Sequence, residues 1–145
     1  MRVNKKVFTN SKELLLEVPC HKDESGNLIV VEENDFLPFR ISRVFTVNAY
    51  KDSVRGEHAH IKCSQFMVCL SGSVEIICDD GFNINTYLLD GPSIGLYIPP
   101  GVWAQQTYKE NVNVLNVFCD FPYDENDYIY VKNEFYRYIK SGLSK

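Results

Sequence analysis

The chain has no apolar run long enough to span a membrane as a helix, which excludes that class of protein. Met1 to Lys6 is not followed by the apolar core of an export signal, so a cytoplasmic protein is expected. Paired cysteines are missing too. The five present (Cys20, Cys63, Cys69, Cys78 and Cys119) are odd in number and contain no CxxC, and they read as reduced thiols rather than a disulfide framework. There is no excess of positive charge: the net charge of −4 argues against nucleic acid or an anionic membrane as partner, while leaving room for a local basic pocket. Repeats, low-complexity segments and Pro/Gly/Ser-rich linkers are absent, so residues 1–145 are expected to form one domain. Histidine is scarce, and two of the three, His58 and His60, stand two residues apart.

Short β-rich segments and frequent turns are abundant. Residues 14–20 suit a first strand, and the turn Asp23-Glu24-Ser25-Gly26-Asn27 leads to another at 28–32. Residues 34–39 suit a short helical turn or loop, punctuated by Pro38. Further strands are expected at 41–48, through the histidine stretch, and at 65–70, 74–78, 82–89, 95–98, 103–108 and 112–119, separated by turns such as Asp79-Asp80-Gly81. Asn133 is placed to cap one C-terminal helix over 134–140, with Phe135 and Ile139 on a shared face. The pattern predicts an all-β antiparallel sandwich or barrel with a short C-terminal helix.

The stretch Arg55-Gly56-Glu57-His58-Ala59-His60-Ile61-Lys62, followed by Gln65 and Gly72, carries the chemistry. In an extended strand His58, His60 and Lys62 share one face, with cations nearby. An imidazole accepts and donates protons near neutral pH, so a pair over one pocket suits acid–base work. A lone strand histidine is more often structural; two at this spacing beside an arginine raise the functional reading.

The spacing of HxH, Gln65 and Gly72, with Pro99-Pro100-Gly101 downstream, resembles the cupin motifs, and implies a cupin jelly roll. A metal-holding cupin uses both histidines, a Glu and a later His; Gln65 and Ala104 stand at the last two positions, so no metal is expected. The chain more specifically resembles the dTDP-4-keto-6-deoxyglucose 3,4-ketoisomerase family of cupins. The resemblance runs through Arg55-Gly56-Glu57-His58-Ala59-His60, Lys62, Gln65, Leu70-Ser71-Gly72, the segment 99–103 and Tyr123-Asp124-Glu125-Asn126-Asp127-Tyr128-Ile129. It departs at Phe45 and Thr46, where the family often carries a Tyr, and at Ile61, often Lys.

The resemblance implies a dTDP-linked 4-keto-6-deoxy sugar as substrate, no cofactor, a homodimer, and a place ahead of an aminotransferase making an amino-deoxy sugar. The reaction removes the C3 proton, passes through an enediol and returns a proton to C4. His60 is expected as the carbon base and His58 as the partner that polarises or protonates oxygen, with the reverse order open. Tyr50 is a candidate for the missing family tyrosine. Arg43 and Arg55 are candidates for the diphosphate and Gln65 for a sugar hydroxyl. Trp103 is either a nucleotide wall or core, and Lys62 is a further substrate-side cation with a solvated tip. A 3,5-epimerase-type cupin and a non-catalytic sugar-binding cupin are the rival readings.

Overall fold

The computed structural model describes residues 6–7, 11–33 and 37–142. The first strands in chain order are β1 (Lys6–Val7), β2 (Leu14–Glu17), β3 (Cys20–Asp23), β4 (Gly26–Ile29), β5 (Arg43–Ala49), β6 (Val54–His60) and β7 (Gln65–Ser71). Then come β8 (Val74–Asp79), β9 (Ile84–Leu89), β10 (Ile94–Ile98), β11 (Trp103–Tyr108), β12 (Asn113–Cys119), a 3-10 turn (Glu125–Asp127), β13 (Tyr128–Ile129) and α1 (Lys132–Lys140). A six-stranded sheet, β1-β2-β10-β7-β12-β5, faces a five-stranded sheet, β13-β6-β11-β8-β9, and β3-β4 form a separate hairpin. All the pairings are antiparallel. This is the expected cupin jelly roll with its C-terminal helix.

The side-chain alternation explains the layers. In β12 alternate residues are buried, so Leu115, Val117 and Cys119 enter the core between the sheets. In β7 five successive residues are buried, because this strand is covered on both sides. Met67 and Cys69 join the inter-sheet core; Phe66 and Val68 join Leu16, Val18 and Leu37 on the outer face. On the outer face of the five-stranded sheet, Ala59 and Trp103 pack under Phe135 and Ile139 of α1.

Two expectations are corrected, and a third is met in its loop form where it is described. The first strand stops at Glu17 rather than reaching residue 20, because Pro19 interrupts it. Residues 34–36 of the expected helical turn lie outside the described residues, and 37–39 are bent without helix. Asn133 lies inside α1, with Val131 at the cap position making no side-chain capping bond.

Candidate active site

Strand β6 is irregular where the chemistry lies. Ala104 pairs with His58 and Gln105 with Gly56, leaving Glu57 as an extra residue in a bulge. Both bulge residues take left-handed backbone, with φ of 86° at Gly56 and 58° at Glu57. At Gly56 a Cβ would sit 3.0 Å from the Ala104 carbonyl, so glycine lets the strands approach. The extra residue changes the strand's phase. Arg55 and His58, three apart and on opposite faces of a regular strand, line the same cavity of about 350 Å³ with Gly56, Gln65, Met67 and Gln106.

The imidazoles of His58 and His60 meet edge to face at 4.9 Å. His58 Nδ1 lies 3.0 Å from the Gly56 carbonyl; an oxygen of that kind only accepts, so Nδ1 carries the hydrogen. His60 Nδ1 donates to Asp127 Oδ2 at 2.9 Å. Asp127 is fixed in turn: Oδ1 accepts the Lys62 N–H at 2.6 Å and Oδ2 the Cys63 N–H at 3.2 Å. Each histidine therefore keeps a bare Nε2, and that of His60 is buried without a hydrogen-bond partner. Burial pushes the His58 pKa below its ordinary value, against the bond to Gly56. Burial pushes His60 down to about 4, with the Asp127 bond opposing and the His58 and Arg43 charges adding to it. Both rings are neutral at pH 7 and offer a lone pair. Neutral His58, with its hydrogen committed to Gly56, enters the reaction as a proton acceptor at Nε2.

Strand β13 closes the site. Tyr128 pairs with His60 across the strands, and its ring lies 4.5 Å from His60 and 4.9 Å from His58. Tyr130 stacks on Tyr128 at 5.3 Å, and Tyr123 packs against Tyr128 at 5.8 Å. Arg43, at the start of β5, reaches Cys119 Sγ at 3.6 Å and lies over the rings of Phe45 and Tyr123, with Tyr128 beside it. Among the described residues, neither Arg43 nor Arg55 forms an ion pair with a carboxylate. Gln65 is buried with Nε2 at 3.8 Å from Cys119 Sγ, and it too lines the cavity.

The structure thus brings together His58, His60, Arg43, Arg55 and Gln65, and parts them from three expected members. Tyr50 is 81% exposed beyond the far end of β5, the end opposite Arg43, so it is removed from the catalytic set. Trp103 packs under α1 on the other face of the sheet, with the Lys132 ammonium over its ring. Lys62 lies past the end of β6; its ammonium sits over the Phe121 ring, and its backbone N–H serves Asp127. The sequence reading gave no role to Asp127 or Tyr128, although both stand in the 123–129 motif.

The cupin metal set does not fit this chain. Ala104 offers no donor, and the Gln65 amide turns to Cys119. Ligand atoms of His60, Cys63 and Asp127 lie within 4.8 Å of one another, yet hydrogen bonds already engage them: Nδ1 to Oδ2, and the Cys63 thiol to the Ser64 carbonyl at 3.3 Å.

Residues 10–140 match the family model described as FdtA: WxcM-like, C-terminal. The chain is 42% identical over 125 residues to the TDP-4-oxo-6-deoxy-alpha-D-glucose-3,4-oxoisomerase of Aneurinibacillus thermoaerophilus, covering 85% of this chain and 90% of that one. It superposes on the sugar 3,4-ketoisomerase QdtA of Thermoanaerobacterium thermosaccharolyticum, solved with TDP, with a TM-score of 0.86 and 32% identity over 92% and 98% of the two chains. A histidine-to-asparagine variant of that enzyme was solved with TDP-4-keto-6-deoxyglucose. The TDP-quinovose 3,4-ketoisomerase WlaRB of Campylobacter jejuni superposes with a TM-score of 0.81 and 34% identity, over 87% and 98% of the two chains.

Proposed function

This chain belongs to the FdtA family of sugar-nucleotide 3,4-ketoisomerases, and from that premise we propose that it moves the carbonyl of dTDP-4-keto-6-deoxyglucose from C4 to C3 in deoxysugar biosynthesis. One observation in the site carries the reading: two neutral imidazoles in contact at 4.9 Å, each with Nδ1 tied down and Nε2 bare, beside two arginines without carboxylate partners. Isomerisation of a hydroxy ketone needs that equipment. A base takes the C3 proton, the electron pair forms the enediol, and a proton returns at C4.

His60 is the carbon base. The Asp127 carboxylate, bonded directly to its Nδ1, fixes its tautomer and stabilises the imidazolium that forms, whereas His58 Nδ1 meets only the Gly56 carbonyl. Because the His58 and Tyr128 rings pack against it, the sugar must part them to reach Nε2. His58 holds the C3 hydroxyl as an acceptor. Arg55 faces the same cavity and takes the diphosphate by forked hydrogen bonds, and Gln65 offers its amide to a sugar hydroxyl. No step requires a metal or a redox cofactor.

The working protein is a cytoplasmic homodimer in this reading. Its cysteines are free thiols, and among the described residues no helix is long and apolar enough to cross a membrane. Leu16 and Val18 of the apolar N-terminal strand are buried within their own chain and leave little there for a partner. The better surface is the outer face of the six-stranded sheet, where Ile29, Val31, Leu70 and Phe118 line an apolar groove next to the edge strand β5. Light scattering should give twice the mass of 16.7 kDa, and a monomer mass would remove the dimer.

The deciding experiment is incubation with dTDP-4-keto-6-deoxyglucose followed by NMR of the product. A carbonyl at C3 is expected. Inverted carbons beside a retained C4 carbonyl would establish a 3,5-epimerase instead, and binding without change a sugar-binding protein.

A further inference from the structure

The site as described holds two proton acceptors and no donor. His58 and His60 both commit their single ring hydrogen to oxygens that only accept, the Gly56 carbonyl and the Asp127 carboxylate. Enolisation of the sugar, however, builds negative charge on O4 as the C3 proton leaves, and a positioned acid must supply O4 with a proton. This deepens the ketoisomerase reading and rests on it.

The geometry points to Tyr128 as that acid, with Arg43 holding the phenolate it leaves behind. Among the described residues, Tyr128 is the phenol whose ring touches both histidines, at 4.5 and 4.9 Å, and whose hydroxyl neighbours the Arg43 guanidinium. Its position is set by backbone pairing, since Tyr128 is the register partner of His60. Arg43 faces sulfur, aromatic rings and this phenol rather than a carboxylate, and its Nε is buried without a partner, so its charge is free to offset a new anion. Burial raises the Tyr128 pKa and Arg43 opposes it, so the group stays protonated at neutral pH and enters the cycle as a donor. Thr46 and Phe45, where the family often carries a tyrosine, have no phenol, and Tyr50 is at the wrong end of the strand.

The protons balance. In the first half His60 Nε2 takes the C3 proton, the C–H electron pair becomes the C3–C4 double bond, and the carbonyl pair moves to O4, which takes the Tyr128 proton. The products are a neutral enediol, an imidazolium backed by Asp127 and a phenolate beside Arg43. In the second half His60 returns a proton to C4. O3 forms the new carbonyl and gives its proton to His58 Nε2, which passes it to the phenolate 4.9 Å away, ring to ring. Both histidines and Tyr128 end as they began.

Tyr128→Phe keeps the ring and removes only the hydroxyl. Assayed on dTDP-4-keto-6-deoxyglucose, it should lose about 10²–10⁴-fold in kcat with KM near wild type. In deuterium oxide, washout of the C3 proton should fall in parallel, because enolisation itself needs the acid. Arg43→Gln gives an independent reading with the tyrosine intact. It should lower kcat more than it raises KM, and added guanidinium ion should restore part of the rate. An active wild type matched by Tyr128→Phe overturns the role of Tyr128, and an Arg43→Gln that raises only KM returns Arg43 to the diphosphate. A wild type that leaves the carbonyl in place sinks the ketoisomerase reading and Tyr128 with it.

Discussion

Strands β5, β7 and β12 run from one end of the barrel to the other, and the two ends are built on opposite terms. At one end, Asn113 pairs with Ala49 and stands beside the turn after Ser71. Its Oδ1 accepts from the backbone of Ser73 at 3.0 Å and Glu110 at 3.1 Å, and its Nδ2 donates to the carbonyls of Ala49 at 3.1 Å and Glu110 at 2.7 Å. An amide has four such positions, and all are used. At the other end Cys119 pairs with Arg43 and with Gln65, and there the bonding is incomplete: Arg43 Nε and His60 Nε2 are buried without partners. A buried polar atom left unpaired is costly. The Asn113 amide is therefore a lock, and around Arg43 and His60 unpaired polar atoms are kept for a ligand.

The largest expected effects fall on the working end. His60→Asn should lose about 10²–10⁴-fold in turnover while still binding dTDP, and should stop washout of the C3 proton in deuterium oxide. Washout at the wild-type rate would transfer the carbon base to His58. Asp127→Asn should lose less, since it leaves the imidazole in place. Its signature is in the pH profile: Asp127 raises the His60 pKa, so the acid limb of kcat/KM should move to lower pH when the carboxylate is removed. A loss of rate with no movement of that limb would make Asp127 merely a backbone clamp for residues 62 and 63.

At the locked end the sign of the outcome reverses, with stability changing and rate per folded molecule unchanged. Asn113→Ala strips four backbone groups of their partner and should cost on the order of 3 kcal/mol by denaturant titration. Gly72→Ala should be at least as severe. Gly72 has φ of 77°, and a Cβ there would meet the Val112 carbonyl at 2.3 Å, which is backbone and cannot swing aside. If either variant lost activity while fully folded, the two ends would be coupled and the division between them would fail.

A smaller effect separates the ends by pH. In the folded chain His60 is held at about 4, below its ordinary value of 6.5. Between those values the unfolded chain binds a proton that the native one refuses, so stability is full above pH 6.5 and declines as the pH falls toward 4. His58, also shifted down, adds in the same direction. His60→Asn should flatten that slope, whereas Asn113→Ala should lower the whole curve without changing its shape.

Much of this was legible in the sequence, and what was not has definite physical causes. Strands and turns follow from alternation and from Asp-Gly or Pro-Gly punctuation, and the HxH pair announces a shared face. Phase is another matter. The extra residue in the Gly56-Glu57 bulge puts Arg55 on the histidine side, and a residue count along a regular strand misses it. Trp103 precedes Ala104, and only the register with β6 and β8 decides which of the two faces inward. Tyr50 follows the strand that Arg43 begins, and the seven residues of β5 hold the two at opposite ends of the barrel. Asp127 reaches His60 across 67 residues, a pairing that the quoted motif contains without declaring.

The smallest expected effect is none at all, on removal of metal. A bound ion at the working end would need donors where this chain has Ala104, which pairs with His58 across the sheet and presents a methyl group. It would also need the Gln65 amide, a weak donor that the structure turns toward Cys119. The His60, Cys63 and Asp127 set offers a second possibility, but a metal there would have to displace the Nδ1–H to Oδ2 bond that keeps Nε2 of His60 basic. Ion and carbon base thus compete for the same imidazole. Dialysis against a strong chelator should leave turnover unchanged, and added Zn²⁺ should inhibit if it acts at all. Loss of activity on dialysis, restored by one divalent ion, would show that the unpaired atoms of the working end await a metal rather than a sugar.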